Sequence, residues 1–247
     1  MTQRASLFAF NPERHRDVRL IPGVDLAGPL LTHHAEIGLD EVAAAAADYP
    51  LLFLKDGETG RLRLVALFGL ASGQNSYVVD DIWQAVYLPL AVAMAPFRLA
   101  GQDRILCIDE ANPRVTTETG EALFNHDLTD TPFMENIRGL IGRLDQGCRA
   151  ADEMIDTLLA MGLAQAVAVT AEFATGPGDE VEGLYSINPR LLELIEPASL
   201  LNLHNQGLLA PIYAIIQSLN QLNRVKQLHN LGPGRKISAF RIAMAST

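Results

Sequence analysis

The sequence predicts a mixed α+β fold, with antiparallel sheet and segregated helices and room for two subdomains around one core. Three observations predict it. Short apolar runs bounded by turn residues cluster in 49–108 and again in 165–187. Between them, an apolar stripe at steps of three and four marks a long amphipathic helix. Strands and helices do not alternate as βαβ units, and only 77–108 resembles one, so a doubly wound parallel sheet is the less favoured alternative.

The first 35 residues hold the breakers Asn11-Pro12, Pro22-Gly23 and Gly28-Pro29 and read as an extended arm. Asp40 caps a short alanine-rich helix that Pro50 stops. Tyr49-Pro50-Leu51-Leu52-Phe53-Leu54 is a continuous apolar run of strand length, which suggests cover on both faces. A turn at 55–60 joins it to a second strand over 61–69. Ser72-Gly73-Gln74-Asn75 is a further turn, and 76–79 completes a three-stranded antiparallel meander. A helix is expected over 83–94, kinked or broken at Pro89. Ile105-Leu106-Cys107-Ile108 is a fourth strand, ending in Asp109-Glu110.

The stretch 112–130 is polar and rich in Gly, Pro and Thr, the natural place for a boundary between subdomains. Thr131 then caps the long helix and Pro132 suits its first position. Phe133, Ile137, Leu140, Leu144, Cys148, Ala151, Ile155 and Leu158 form its apolar face. Gly139, Gly142 and Gly147 weaken it, with a bend expected near Gly147. A hairpin over 165–187 turns at Gly176-Pro177-Gly178-Asp179. Asn188-Pro189 starts a short helix that ends before Pro197, another spans 199–205 and is stopped by Gly207, and a last helix spans 208–228. The domain thus covers 1–230, and the tail 231–247 is either loose or a late strand.

Composition excludes several classes. At 49% apolar, the chain of 247 residues is no disordered segment. With a net charge of -10 it is a poor general nucleic-acid binder. The average hides an asymmetry. No acidic residue follows Glu196, while Arg224, Lys226, Arg235, Lys236 and Arg241 do. Either these charges complement helix C-termini, or the tail docks on an acidic surface of its own body or of a second copy. Cys107 and Cys148 lack disulfide or zinc spacing and read as reduced core thiols. Asn11-Pro12-Glu13-Arg14 interrupts the apolar N-terminus before it reaches signal-peptide length, and no stretch is long enough to span a membrane. A soluble, cytoplasmic protein is expected.

Motifs of catalysis are scarce. No phosphate-binding glycine loop and no GxSxG elbow occurs. His15, His33, His34, His126, His204 and His229 show no ligand spacing, and His33 and His34, being adjacent, should point apart, so no metal or other cofactor is expected. Asp109 and Glu110 end a strand, where carboxylates serve either as acid and base or as turn caps. With His126 they are the polar groups that could carry catalysis, and no catalytic set is assigned. Trp83 and Tyr87, four apart, share a face of the expected helix and, with Asn75, are the candidate binding residues. The Glu58, Arg61 and Arg63 region reads as a solvated hairpin face.

With these residues laid out, the chain resembles the SapC family of bacterial proteins from about His15 to about Leu228. The resemblance is carried by the order and spacing of several stretches. The first are Asp48-Tyr49-Pro50, Leu64-Val65-Ala66-Leu67-Phe68-Gly69-Leu70 and Gly73-Gln74-Asn75. Trp83, Tyr87-Leu88-Pro89, Pro96-Phe97 and Cys107-Ile108-Asp109-Glu110 follow. Gly120-Glu121-Ala122-Leu123-Phe124, Gly183-Leu184-Tyr185, Gly207-Leu208-Leu209 and Ser218-Leu219-Asn220 complete the set. Family members tend to carry a basic pair and an aromatic just before the Pro-Phe step, where this chain has Ala93, Met94 and Ala95. An anion held there in relatives would not be held the same way here.

The resemblance implies association with a cell-surface protein array. It also implies gene neighbours such as TonB-dependent receptors, cupin-like proteins and halogenase-like flavoproteins. It brings no catalytic residue. The expectation is a non-enzymatic binding or accessory protein in a bacterial surface-protein or nutrient-uptake system, with another protein or a second copy as partner. The alternative is an enzyme or enzyme subunit acting on a small molecule or peptide.

Overall fold

The computed structural model describes residues 7–23, 33–57, 59–71, 73–101 and 103–244. Gly28-Pro29 of the expected arm, Ser72 of the expected second turn and Glu58 of the hairpin face lie outside them. The chain divides into two compact units, Met1–Leu31 with Leu88–Gln146, and Thr32–Tyr87 with Gly147–Thr247.

In chain order, β1 (Leu7–Ala9) and β2 (Arg19–Leu20) open the first unit. The second unit then takes β3 (His34–Glu36), α1 (Val42–Ala45), β4 (Leu51–Lys55), β5 (Leu62–Leu67), β6 (Val78–Val79) and β7 (Ile82–Trp83). The first unit resumes with α2 (Leu90–Ala93), β8 (Phe97–Ala100), β9 (Ile105–Asp109), β10 (Val115–Thr116) and β11 (Glu121–Ala122). The helix α3 (Pro132–Ala160) begins in the first unit and ends in the second. β12 (Ala164–Phe173), β13 (Asp179–Val181), β14 (Leu184–Ile187), α4 (Pro189–Glu193), α5 (Pro197–Asn205), α6 (Leu209–Ser218), α7 (Leu222–His229) and β15 (Ile237–Met244) complete the second. The fold is mixed α+β, and the strand pairings are antiparallel.

In the first unit, β9 lies between β1 and β8, and β2 between β10 and β11. Phe10 meets Phe97 edge-on and stacks on Phe124, which seals the small core. Thr131 caps α3 as expected, its hydroxyl accepting from the Met134 N–H at 3.3 Å. The buried ridge of the first half of α3 is Met134, Ile137, Ile141 and Leu144. Phe133 and Leu140, expected on that ridge, are half-buried beside it.

The second unit is built on one sheet, with β4 between β14 and β5 and with β12 between β15 on one edge and β13 and β14 on the other. Leu51, Leu52 and Phe53 are all fully buried, so β4 is covered on both faces as its apolar run predicts. On one face Leu52, Leu67, Val167, Val169, Val181 and Leu184 pack with Leu222 of α7. Ser218, at the end of α6, accepts the Leu51 N–H at 2.9 Å and donates to the Ile215 carbonyl at 2.6 Å, which pins the helix to the strand.

The expected three-stranded meander is not formed. β3 takes the place beside β5, and β6 pairs with β7 alone. The chain leaves the sheet at Gly69, where a side chain would collide with the Gln74 carbonyl. The helix expected over 83–94 is likewise absent before Leu90. Two features decide this. Asp80 and Asp81 both have positive φ, 50° and 58°, the two-residue turn that matches strand twist, so Ile82 and Trp83 return as a strand. Proline then keeps the preceding residue extended, so helix starts only beyond Pro89, the N-cap of α2.

The tail forms the late strand. β15 pairs with β12 from Val167 to Phe173. Arg241 meets Glu172, and Arg235 meets Asp179 at 2.8 Å. Lys236 donates to the carbonyls of Asn230 and Gly232 just after α7. The basic segment thus docks on acids of its own body and also covers helix-end carbonyls.

Gly147 is not a weakness in α3. A Cβ there would lie 2.9 Å from the Cα of Gly38, too close for contact. Nothing lies within 4 Å of a Cβ at Gly139 or Gly142. Gly139→Ala should therefore stabilise the chain by up to about 1 kcal/mol through helix propensity. Gly147→Ala should destabilise it by about 1–3 kcal/mol through overpacking. Urea denaturation of the two variants checks the opposite signs.

Candidate functional site

The residues Asp48-Tyr49-Pro50 lead into β4, and this placement buries the Tyr49 ring completely. Around it gather Tyr77 at 4.8 Å, Phe68 at 5.3 Å and Trp83 at 6.3 Å between ring centroids. Phe68 and Trp83 also meet edge-on at 5.3 Å, a favoured aromatic geometry. The β6–β7 hairpin brings Trp83 in, and the loop after β5 brings Tyr77.

Hydrogen bonds lock this cluster. The Trp83 indole donates to the Tyr49 oxygen at 2.9 Å, and the Tyr49 hydroxyl donates to the Tyr87 carbonyl. Tyr77 donates its hydroxyl to the Asp48 carbonyl at 2.7 Å, and Asn75 accepts the Tyr77 N–H at 2.9 Å. The Tyr87 N–H reaches the Asp48 carboxylate at 2.7 Å. Its hydroxyl donates to Glu41 at 2.8 Å, and Glu41 also accepts the Gly38 N–H at 2.9 Å. A buried carboxylate is tolerable only with such partners.

The structure thus brings Asn75, Trp83 and Tyr87 together, though not on a helix. Glu41, Asp48, Tyr49, Phe68 and Tyr77 were not foreseen in the cluster. One signal was available: three of the chain's 5 tyrosines and its 1 tryptophan fall between Tyr49 and Tyr87. Burial pushes the Tyr49 and Tyr77 hydroxyls well above the usual tyrosine range. They are held neutral, Tyr77 as a donor and Tyr49 as both donor and acceptor of hydrogen bonds. At the rim, Ile82 is 61% exposed and Val86 is 98% exposed.

The strand-end carboxylates lie in the first unit. Asp109 is fully buried and accepts the Ala111 N–H at 3.1 Å, closing a turn. Glu110 takes a two-pronged contact from Arg14, at 2.7 and 3.0 Å, and meets His15 Nε2 at 3.1 Å. The Arg14 hydrogen bond holds the Glu110 carboxyl below its ordinary range. His15 is almost wholly buried and stacks on Phe10 at 5.2 Å, with Nδ1 facing the Asn11 backbone. His126 is exposed on the loop closed by Asn125 and Thr129, and it makes no hydrogen bond or ion pair with Asp109 or Glu110.

Two further expectations change. His33 and His34 do not point apart: their rings meet edge-on, with Nε2 of His33 3.3 Å from Nδ1 of His34. Among the described residues no group of three or more His, Cys, Asp or Glu side chains is placed to hold a metal ion. Arg63 is not on a solvated face; it pairs with Asp152 of α3, while Arg61 is exposed.

Tyr49→Phe should cost about 1–3 kcal/mol, because the Trp83 N–H and the Tyr87 carbonyl both lose a buried partner. Trp83 is the only tryptophan, so its fluorescence should shift in the same variant. Glu110 has a depressed pKa in the folded state, so its contribution to stability is present above its ordinary value of 4.5 and is lost as pH falls through the folded value. Glu110→Gln should therefore flatten the fall in stability below about pH 4.5, read by thermal melts across pH.

No helix among the described residues is long and apolar enough to cross a membrane. No curated protein and no solved structure matches the chain. The SapC family model does match it, over residues 10–225. That span includes β4, the aromatic cluster, the β9 carboxylates and α3, and by this match the chain belongs to the SapC family.

Proposed function

We propose that this chain is a non-catalytic binding protein, an accessory component of a bacterial surface-protein or nutrient-uptake system that works in the cytoplasm. It recognises a partner protein through the β6–β7 hairpin. One observation carries the reading: a rigid, fully hydrogen-bonded aromatic base supports two outward apolar side chains, Ile82 and Val86. Exposed apolar groups on a preorganised base are what a binding surface needs, because little entropy is lost on contact. The polar candidates support the same reading. Asp109 is buried in a turn and Glu110 is held by Arg14 and His15, so neither is presented to a substrate.

The family's gene neighbours supply the test. Co-purification with a TonB-dependent receptor, a cupin-like protein or a halogenase-like flavoprotein, identified by mass spectrometry, is the expected result. Ile82→Glu combined with Val86→Glu should cut that recovery at least about tenfold, since a charge would be buried without a partner. Thermal stability and Trp83 fluorescence should stay at the unsubstituted values. Equal recovery with the double variant, or turnover of a small molecule by the isolated chain, would overturn the reading.

A further inference from the structure

Charge and apolar groups stand side by side in the stretch 80–87. Asp80 and Asp81 form the tip of the β6–β7 hairpin, and both are exposed. Neither carboxylate makes a hydrogen bond or ion pair among the described residues. The turn does not need their charge. Asn serves positive φ at both positions equally well, and two adjacent carboxylates repel. Ile82 and Val86 follow, both outward. The backbone that carries them is fixed. Gln84 donates its N–H to the Tyr77 carbonyl at 2.8 Å. Tyr87 is held at its N–H, carbonyl and hydroxyl by Asp48, Tyr49 and Glu41. Arg224 reaches this stretch too, but it donates to the Gln84 carbonyl at 3.2 Å and not to the acids.

Resting on the hairpin as the docking surface, we infer that its partner is a protein segment with basic side chains for Asp80 and Asp81 and apolar side chains for Ile82 and Val86. Charge complementarity decides the occupant. Docking on Ile82 and Val86 strips water from the carboxylates beside them, and a cationic donor restores what they lose. An uncharged apolar segment would leave both acids without a partner. Nucleic acid and anionic lipid are repelled at the tip. A second copy of a chain with a net charge of -10 is repelled as a whole. The two kinds of group divide the task. Ile82 and Val86 supply apolar burial, while the acids at their edge steer approach and reject partners of the wrong sign.

Two short peptides without tryptophan test the inference, one alternating Lys and Leu and the other alternating Glu and Leu. Trp83, the only tryptophan, reports their binding to the full chain. The Lys-Leu peptide should shift its fluorescence and the Glu-Leu peptide should not. Affinity for the Lys-Leu peptide should fall from about 0.05 M to about 0.5 M salt, because salt screens exposed charge pairs. Asp80→Asn with Asp81→Asn should weaken binding about three- to tenfold, the contribution of two exposed ion pairs. The melting temperature should not change, since Asn adopts the same φ. Ile82→Ser with Val86→Ser keeps the net charge, so attraction to total charge alone would survive in it. Binding should instead drop at least about tenfold through lost apolar burial. Loss in the Ser variant with none in the Asn variant overturns this inference and leaves the docking surface standing. Undiminished binding by the Ser variant overturns the docking surface itself. No response to the Lys-Leu peptide, equal binding of both peptides, or preferential binding to phosphatidylglycerol vesicles would also overturn the inference.

Discussion

One oxygen organises the second unit. The Tyr49 hydroxyl lies at full burial, accepts the Trp83 indole N–H and donates to the Tyr87 carbonyl. A buried polar atom must find its partners or forfeit stability, so this oxygen sets where the β6–β7 hairpin and the segment leaving it can lie. The chain of bonds runs on. Tyr87 reaches Glu41, Glu41 holds Gly38, and Gly38 sits against Gly147 of α3. Hairpin, sheet and the middle of the long helix are thereby joined, by hydrogen bonds as far as Gly38 and by close backbone packing at Gly147.

Charge is distributed by the same logic of matching. The acidic body carries Glu172 and Asp179 where the tail returns, and Arg241 and Arg235 meet them. These surface pairs contribute modestly, because solvent screens them. The larger stabilisation comes from Ile237, which is buried, and from Phe240 and Met244, which pack against the core cluster. Charge therefore orients β15 and apolar burial holds it. Between Glu196 and Arg224 the chain carries no Asp, Glu, Lys or Arg.

Part of the candidate site was legible and part was not. Asn75, Trp83 and Tyr87 could be picked out, since aromatics are few and fall close together. Trp83 and Tyr87 do not share a helix face. Each instead bonds to Tyr49, far from them in sequence, the Trp83 indole as donor and the Tyr87 carbonyl as acceptor. Glu41 could not be foreseen at all. A glutamate after Asp40 reads as solvated until the partners that permit its burial, Tyr87 and Gly38, are seen in place. The same holds for Arg63, whose partner Asp152 is distant in the chain.

By itself the sequence determined the elements whose signal is local. These are the apolar strands β4 and β5, the capped α3 with its apolar stripe, the 165–187 hairpin, and the helix stops at glycine and proline. Periodicity and turn chemistry act over a few residues, so they can be read without the fold. Only the tertiary structure decided which strand lies beside β5, that 76–83 folds back as its own hairpin, and that Gly147 is a contact point. It also decided that the basic tail closes the sheet of its own chain. Each of these depends on a partner far away in sequence, and local pattern carries no information about which distant surface a segment will meet.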